Sequence, residues 1–297
     1  MHNIGSLTTE LPNPRTTAFD SMPVIELLAT MNAEDTGVAA AVAQAIPQIA
    51  RAVELIVGSR RRGGRLIYIG AGTSGRLGVL DAVECPPTFG IDPGEVIGII
   101  AGGPEAFSKA VEGAEDDPAR AELDLAAANL TTADVVVALA ASGRTPYAIG
   151  ALRYGRSVGA ATVAISCNRN ADASAHADVG IEIETGPEVL TGSTRLKAGT
   201  AQKMVCNMLS TATMVQVGKV YGNLMVDLHP TNAKLVDRAR RIIAEATGVD
   251  APAAAALLDA AGGHAKTAIV MQLAGVDAAA ARKLLDRTQG FVRTAVL

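Results

Sequence analysis

Arg65-Leu-Ile-Tyr-Ile-Gly-Ala-Gly-Thr-Ser-Gly-Arg-Leu-Gly78 decides the fold. A short β-branched apolar run without alternation reads as a strand buried on both faces. It passes through a glycine-rich turn into a segment of helical character, the first half of a βαβ unit. Four more runs of the same kind follow: Val96 to Ala101, Val135 to Ala140, Thr162 to Ser166 and Val179 to Ile183. With Leu66 to Ala71 they make five strands. Candidate helices between and after them lie near Ser74 to Val83, Pro104 to Asp116, Pro118 to Ala128, Thr145 to Ser157 and Thr194 to Val217. The alternation predicts an α/β fold, a doubly wound parallel sheet covered on both faces. Ahead of the sheet, Pro23 to Asn32 and Asp35 to Ser59 read as two helices, the second closed by the basic cluster Arg60, Arg61, Arg62. From Asn232 to Leu297 no strand pattern appears, only helix-length segments punctuated by Thr247-Gly248, Gly262-Gly263 and Gly275. The expected domains are N-terminal helices over 1–62, an α/β domain over 63–227 and a C-terminal helical subdomain over 228–297.

Composition narrows the function. The chain has 297 residues, a formal net charge of −4, 49% hydrophobic residues and 3% aromatic. That is neither the polarity of a disordered chain nor the basic, aromatic-bearing surface of a nucleic-acid binder, so no nucleic-acid partner is expected. The longest charge-free runs, Thr36 to Ala50 and Met204 to Gly218, are 15 residues each, short of the roughly 20 a membrane span needs. Residues 1–17 lack a cationic start followed by an apolar stretch, and a cytoplasmic, membrane-free protein is expected. Cys85, Cys167 and Cys206 are odd in number and unpaired in spacing, as in a reducing compartment. His2, His176, His229 and His264 form no zinc-ligand pattern, so neither metal nor cofactor is expected.

Ligands of open parallel sheets bind beyond the carboxyl ends of the strands. Three loops there combine glycine with hydroxyls where a helix begins: Gly72-Thr73-Ser74-Gly75, Ser142-Gly143-Arg144-Thr145 and Gly192-Ser193-Thr194. Unpaired N–H groups, a helix dipole and side-chain hydroxyls converge there on an anion, and phosphate is the natural guest. Ordinary N-caps have the same composition singly; three on one sheet edge favour a ligand site. Gly70, Gly72 and Gly75 satisfy G-x-G-x-x-G, but the second strand ends in Ala101-Gly102-Gly103 without the acidic residue a dinucleotide requires, and no Gly-Lys-Ser/Thr follows. A small phosphorylated metabolite fits better. Lys197, one turn into the helix expected from Thr194, is read either as an added point charge or as a solvated surface lysine. Glu84 precedes Cys85-Pro86-Pro87, whose prolines are expected to end the helix, and Glu115 lies in an acidic run.

The chain resembles the N-acetylmuramic acid 6-phosphate etherases, built on the sugar isomerase fold. The resemblance rests on residues 65–78, Glu84-Cys-Pro-Pro-Thr88, Ala110-Val-Glu-Gly-Ala-Glu-Asp116, Ala141-Ser-Gly-Arg-Thr-Pro-Tyr147, Thr191 to Lys203 and Gly222-Asn-Leu-Met-Val-Asp227, with Thr194 where serine is common. It implies a three-layer αβα sandwich and a homodimer with sites near its interface. It also implies Glu84 as acid and Glu115 as base in cleaving the D-lactyl ether of the phosphorylated amino sugar. The phosphate loops alone are equally compatible with a sugar-phosphate sensor or an aldose-ketose isomerase. An unbroken helix from Ser74 to Glu84 sets the acid roughly 15 Å along the axis from the phosphate-binding end. Either the helix breaks before the prolines or Glu84 serves the other subunit's pocket, and the second is expected.

Overall fold

The computed structural model describes residues 4–109, 111–228, 230 and 232–297. Ala110, His2 and His229, which enter the sequence reading, lie outside the described residues. In chain order the longer elements are α1 (Val24–Asp35), α2 (Val38–Gln44), α3 (Ile46–Arg61), β1 (Leu66–Gly70), α4 (Gly72–Phe89), β2 (Val96–Ile100), α5 (Pro118–Ala127), β3 (Val135–Leu139), α6 (Pro146–Val158), β4 (Ala161–Ser166), β5 (Val179–Glu182) and α7 (Lys197–Gln216). Then come α8 (Ala233–Thr247), α9 (Ala251–Ala260), α10 (Ala265–Ala274), α11 (Ala278–Arg287) and α12 (Val292–Ala295).

All five strands are parallel, in the order β2-β1-β3-β4-β5. β1 and β3 are buried throughout, as their unalternating apolar sequences require. With helices on both faces this is a three-layer αβα sandwich, as expected. One face packs Ile67, Ile69, Val136 and Ala138 against Leu125 of α5 and Tyr147, Ala151 and Leu152 of α6. On the other, Tyr68 is fully buried, and its single O–H is shared between two acceptors, Asp81 Oδ2 at 2.9 Å and the Cys206 carbonyl at 3.1 Å. Gly78 allows α4 to lie on the sheet, because a Cβ there would meet Tyr68 Cβ at 2.8 Å.

The chain divides into two compact units, one of residues 1–83 and 94–210 and one of residues 84–93 and 211–297. In the second, α8–α12 pack around Ile243, Ile269 and Val270, all fully buried. Gly248 and Gly275 close α8 and α10 in the left-handed conformation, which glycine adopts without a Cβ penalty. Lys266 is buried here with Asp227, 2.6 Å from Oδ2; Lys219 and His264 face the same carboxylate. No single described helix is long and apolar enough to cross a membrane.

Several helix boundaries differ from expectation, each for a local reason. The Asp35 to Ser59 helix is interrupted, Asp35 closing α1 and the rest dividing into α2 and α3, with a 60° bend between Val24–Gln44 and Ile46–Arg61; Pro47 near the start of α3 supplies no N–H and fits only a first turn. The Arg60 to Arg62 cluster closes α3 as expected, Arg60 donating to the Gly64 carbonyl at 2.8 Å and pairing with Glu95. The Pro86-Pro87 pair does not end α4, which continues to Phe89. Proline's fixed φ is itself helical, and the cost is confined to the last turn, where Gly90 N–H still reaches the Pro86 carbonyl at 2.9 Å. A break before the prolines is therefore excluded. Pro104 to Asp116 is no α-helix: a single 3-10 turn over Pro104–Phe107 gives way to turns, Gly113 adopting φ +72°. Finally, α7 begins at Lys197 and not at Thr194.

Candidate functional site

The strand order reverses direction between β1 and β3, where an open α/β sheet forms its crevice. A cleft of about 290 Å³ lies there, wholly within the first unit. Its floor is Ala71, Leu139 and Ala140 at the strand ends, and its walls carry Gly72, Thr73, Ser74, Ser142, Arg144, Thr145 and Thr194. All three predicted loops therefore contribute.

The first loop is shaped by glycine. Gly72 takes φ +53°, and a Cβ on Gly75 would lie 2.5 Å from the Gly70 carbonyl oxygen. Only glycine allows the strand end and the helix start so close. The first-turn N–H groups of α4 then face the cleft without intrahelical partners. Ser74 Oγ donates to Gln202 Oε1 at 2.8 Å, while Gln202 Nε2 is buried without a hydrogen-bond partner. In the second loop Gly143 (φ +68°) sits where a Cβ would meet Ala171 Cβ at 2.4 Å. Ser142 Oγ accepts the Arg144 N–H at 3.1 Å, and Arg144 faces Asp172 at 3.7 Å.

Glu115 lines the same cleft. Its backbone carbonyl accepts the Tyr147 N–H at 3.0 Å in the first turn of α6. Gly150 holds the following chain close, since a Cβ there would lie 2.4 Å from the Pro118 carbonyl oxygen. Within the acidic run Glu115 is thus an anchored, solvent-reaching carboxylate beside the glycine-hydroxyl loops.

Other residues singled out in the sequence lie elsewhere. The N-terminus of α7 is not open to a phosphate: Glu188, fully buried, accepts the Lys197 N–H at 3.0 Å and the Ala198 N–H at 2.9 Å. Burial raises the Glu188 pKa above the ordinary carboxylate value, against the pull of those two N–H groups. Lys197 is neither a solvated surface lysine nor a cleft residue. It is buried, with Nζ 2.5 Å from Glu34 Oε2, and Glu34 also pairs with Arg15 at 2.8 Å. Burial pushes the Glu34 pKa up, but Lys197 and Arg15 outweigh it and hold that carboxyl below its ordinary value. Ser193, Gly75 and Gly143 shape the loops without lining the cleft. Glu84, exposed on the continuous helix α4, falls in the second unit and is not among the cleft-lining residues.

Leu7, Glu10 and Asp116 also line the cleft and carry no sequence signal for it. The N-terminal segment reaches the strand ends through Thr8 Oγ1, which donates to Asn168 Oδ1 at 2.8 Å; Asn168 Nδ2 in turn donates to the Ala141 carbonyl. The carboxylates Glu10, Glu115 and Asp116 outnumber Arg144, the one cation lining the cleft among the described residues. An anion here depends on N–H groups and hydroxyls more than on net charge. The described residues contain no group of three His, Cys, Asp or Glu placed to hold a metal.

A protein of Mycolicibacterium smegmatis named N-acetylmuramic acid 6-phosphate etherase is 64% identical over 269 residues, 91% of this chain and 90% of its own length. The chain belongs to the N-acetylmuramic acid 6-phosphate etherase family. Etherases of Exiguobacterium and Pectobacterium atrosepticum are 59% and 58% identical over 90% and 91% of the chain, and over 91% and 89% of their own lengths. Residues 48–156 match the model for the glucokinase regulatory protein N-terminal SIS domain, and residues 117–212 the SIS domain. Among solved structures, a ligand complex of an E. coli CFT073 protein aligns with a TM-score of 0.50 at 15% identity, covering 68% of this chain and 97% of that one. At that identity the likeness speaks for the fold of this chain and nothing further.

Proposed function

We propose that this chain cleaves the D-lactyl ether of N-acetylmuramic acid 6-phosphate, giving N-acetylglucosamine 6-phosphate and D-lactate, as a cytoplasmic step in cell-wall sugar recycling. The observation that carries this reading is that Glu115 lines one cleft with Ser74, Ser142 and Thr145. The sugar phosphate sits at the N-terminus of α4 between the two serine loops, and its binding energy fixes the far carbons of the chain.

In the open-chain sugar the C2–H is acidic because C1 is an aldehyde. Glu115 takes that proton; the electron pair forms the C2–C3 double bond and the C3–O bond to lactate breaks. A carboxylic acid protonates the departing oxygen. Water then adds to C3 and a proton returns to C2, so the sum is hydrolysis of one ether without a metal or cofactor. Two carboxyl groups in opposite protonation states are required.

Glu84 is the acid, supplied by the second subunit of a homodimer. It is exposed on α4 one turn beyond Leu80 and beside Val83, both exposed apolar residues of the same helix face. Such a face suits burial against another copy.

Incubation with N-acetylmuramic acid 6-phosphate, with lactate and product sugar both assayed, tests the reading. Equimolar lactate and N-acetylglucosamine 6-phosphate are expected. Binding without turnover favours a sensor, and a ketose phosphate without lactate favours an isomerase; either result overturns the etherase assignment.

A further inference from the structure

A second cavity of about 190 Å³ adjoins the phosphate cleft and shares Ala71, Gly72 and Glu115 with it. Glu115 therefore stands between two lobes. One lobe carries the hydroxyl loops. The other is lined by Ala106 and Val111, by Glu112 and by Arg76, its one cation among the described residues. Arg76 Nε donates to the Phe107 carbonyl at 2.9 Å and one Nη to the Lys109 carbonyl at 3.3 Å. These acceptors are neutral, and among the described residues no carboxylate forms an ion pair with the guanidinium. Its position is fixed by neutral carbonyls, and no direct ion pair occupies it, although Glu112 and Glu115 line the same lobe.

We propose that this second lobe is the recognition site for the lactyl arm, with Arg76 binding its carboxylate and Ala106 and Val111 receiving its methyl group. The inference rests on the etherase reading and deepens it. In a hexose phosphate anchored at C6 in the hydroxyl lobe with C2 at Glu115, C3 is bonded to C2, so its substituent starts beside Glu115, the residue both lobes share. The second lobe opens there, and besides Glu112 and Glu115 it offers a guanidinium and an apolar wall. A lactyl group is a carboxylate and a methyl on one carbon, and both halves find a partner there. The product lacks this arm, so the lobe separates substrate from product: it holds what is to be cleaved and has no grip on the sugar that remains.

The test compares a ligand with the arm to one without it. Reversal of the water addition removes the C2 proton of N-acetylglucosamine 6-phosphate, so its deuterium exchange in heavy water reports Glu115 independently of the lactyl group. Arg76→Met is expected to raise KM for N-acetylmuramic acid 6-phosphate by about tenfold or more, the scale of one lost charge-assisted contact. The Kd of N-acetylglucosamine 6-phosphate and its C2 exchange rate are expected to stay near wild type, and Arg76→Lys to recover part of the loss. Val111→Phe, which fills the lobe and leaves the Arg76 bonds intact, is expected to discriminate in the same direction. If Arg76→Met slows exchange on the lactyl-free sugar as much as it slows lactate release, Arg76 only positions the Glu115 loop and the proposal fails. It also fails if Val111→Phe leaves KM unchanged. A wild-type protein that releases no lactate would instead defeat the etherase reading itself.

Discussion

Lys197→Met separates a ligand lysine from a structural one. Lys197 is buried and Glu34 half-buried, with side chains 6% and 11% exposed and 2.5 Å between Nζ and Oε2. Removing one partner of such a pair strands the other charge, a loss of about 3–5 kcal/mol. Glu34 keeps Arg15 at 2.8 Å, but that arginine is 57% exposed, so the lower end, about 3 kcal/mol, is expected. At about 2–4 °C per kcal/mol for a domain of this size, the midpoint of thermal unfolding falls by roughly 6–12 °C. Glu34→Gln is expected to cost a comparable amount, and the double variant less than the sum, with a coupling of about 1 kcal/mol or more. KM for the phosphosugar, measured well below the new midpoint, is expected to change less than about twofold, because no part of Lys197 lines the cleft. An unchanged midpoint with KM raised about tenfold would make Lys197 a phosphate ligand and refute this reading.

The Ser74 hydroxyl is spent on Gln202 Oε1. Gln202→Glu, which can only accept, is expected to weaken N-acetylglucosamine 6-phosphate about tenfold, whereas Gln202→Met frees the hydroxyl and holds or tightens binding, as calorimetric titration would record. Gly75→Ala drives a Cβ to 2.5 Å from the Gly70 carbonyl oxygen; a loss of about 1–3 kcal/mol in urea unfolding is expected, with weaker phosphosugar binding. Asp227 is pushed up by burial, but His264, Lys266 and Lys219 prevail and bring it from 3.8 down to about 2. The folded value lies below the unfolded one, so its contribution, roughly 2 kcal/mol, is present above about pH 4 and lost as pH falls through about 2. Asp227→Asn is expected to flatten the acid limb of the stability profile over that window, followed by urea midpoints at successive pH values.

The sheet was legible in the chain because parallel strands covered on both faces show no alternation, and β1 and β3 are unbroken β-branched or apolar runs. The two serine loops were legible for a similar reason: glycine and hydroxyls at a strand-to-helix junction have a local cause. What local pattern could not show was the use already made of a group by a distant residue. The start of α7 looks like a phosphate site until Glu188, nine residues earlier than Lys197, is found on its N–H groups. Lys197 looks solvent-bound until α1 brings Glu34 across 163 positions to meet it. Glu10 reaches the cleft only because the N-terminal segment is tied to Asn168, and no periodicity encodes that path. Pro86 and Pro87 misled in the opposite sense, a strong local rule yielding to a helix that had one turn left to run.

The account turns on Glu115 removing the C2 proton and a separate acid releasing lactate, and deuterium incorporation at C2 in heavy water measures the first step alone. Glu84→Gln is expected to exchange the C2 proton of N-acetylmuramic acid 6-phosphate while releasing almost no lactate, and Glu115→Gln to do neither, with both still binding the phosphosugar. Exchange that persists in Glu115→Gln and disappears in Glu84→Gln would contradict the assignment and move the base off the cleft.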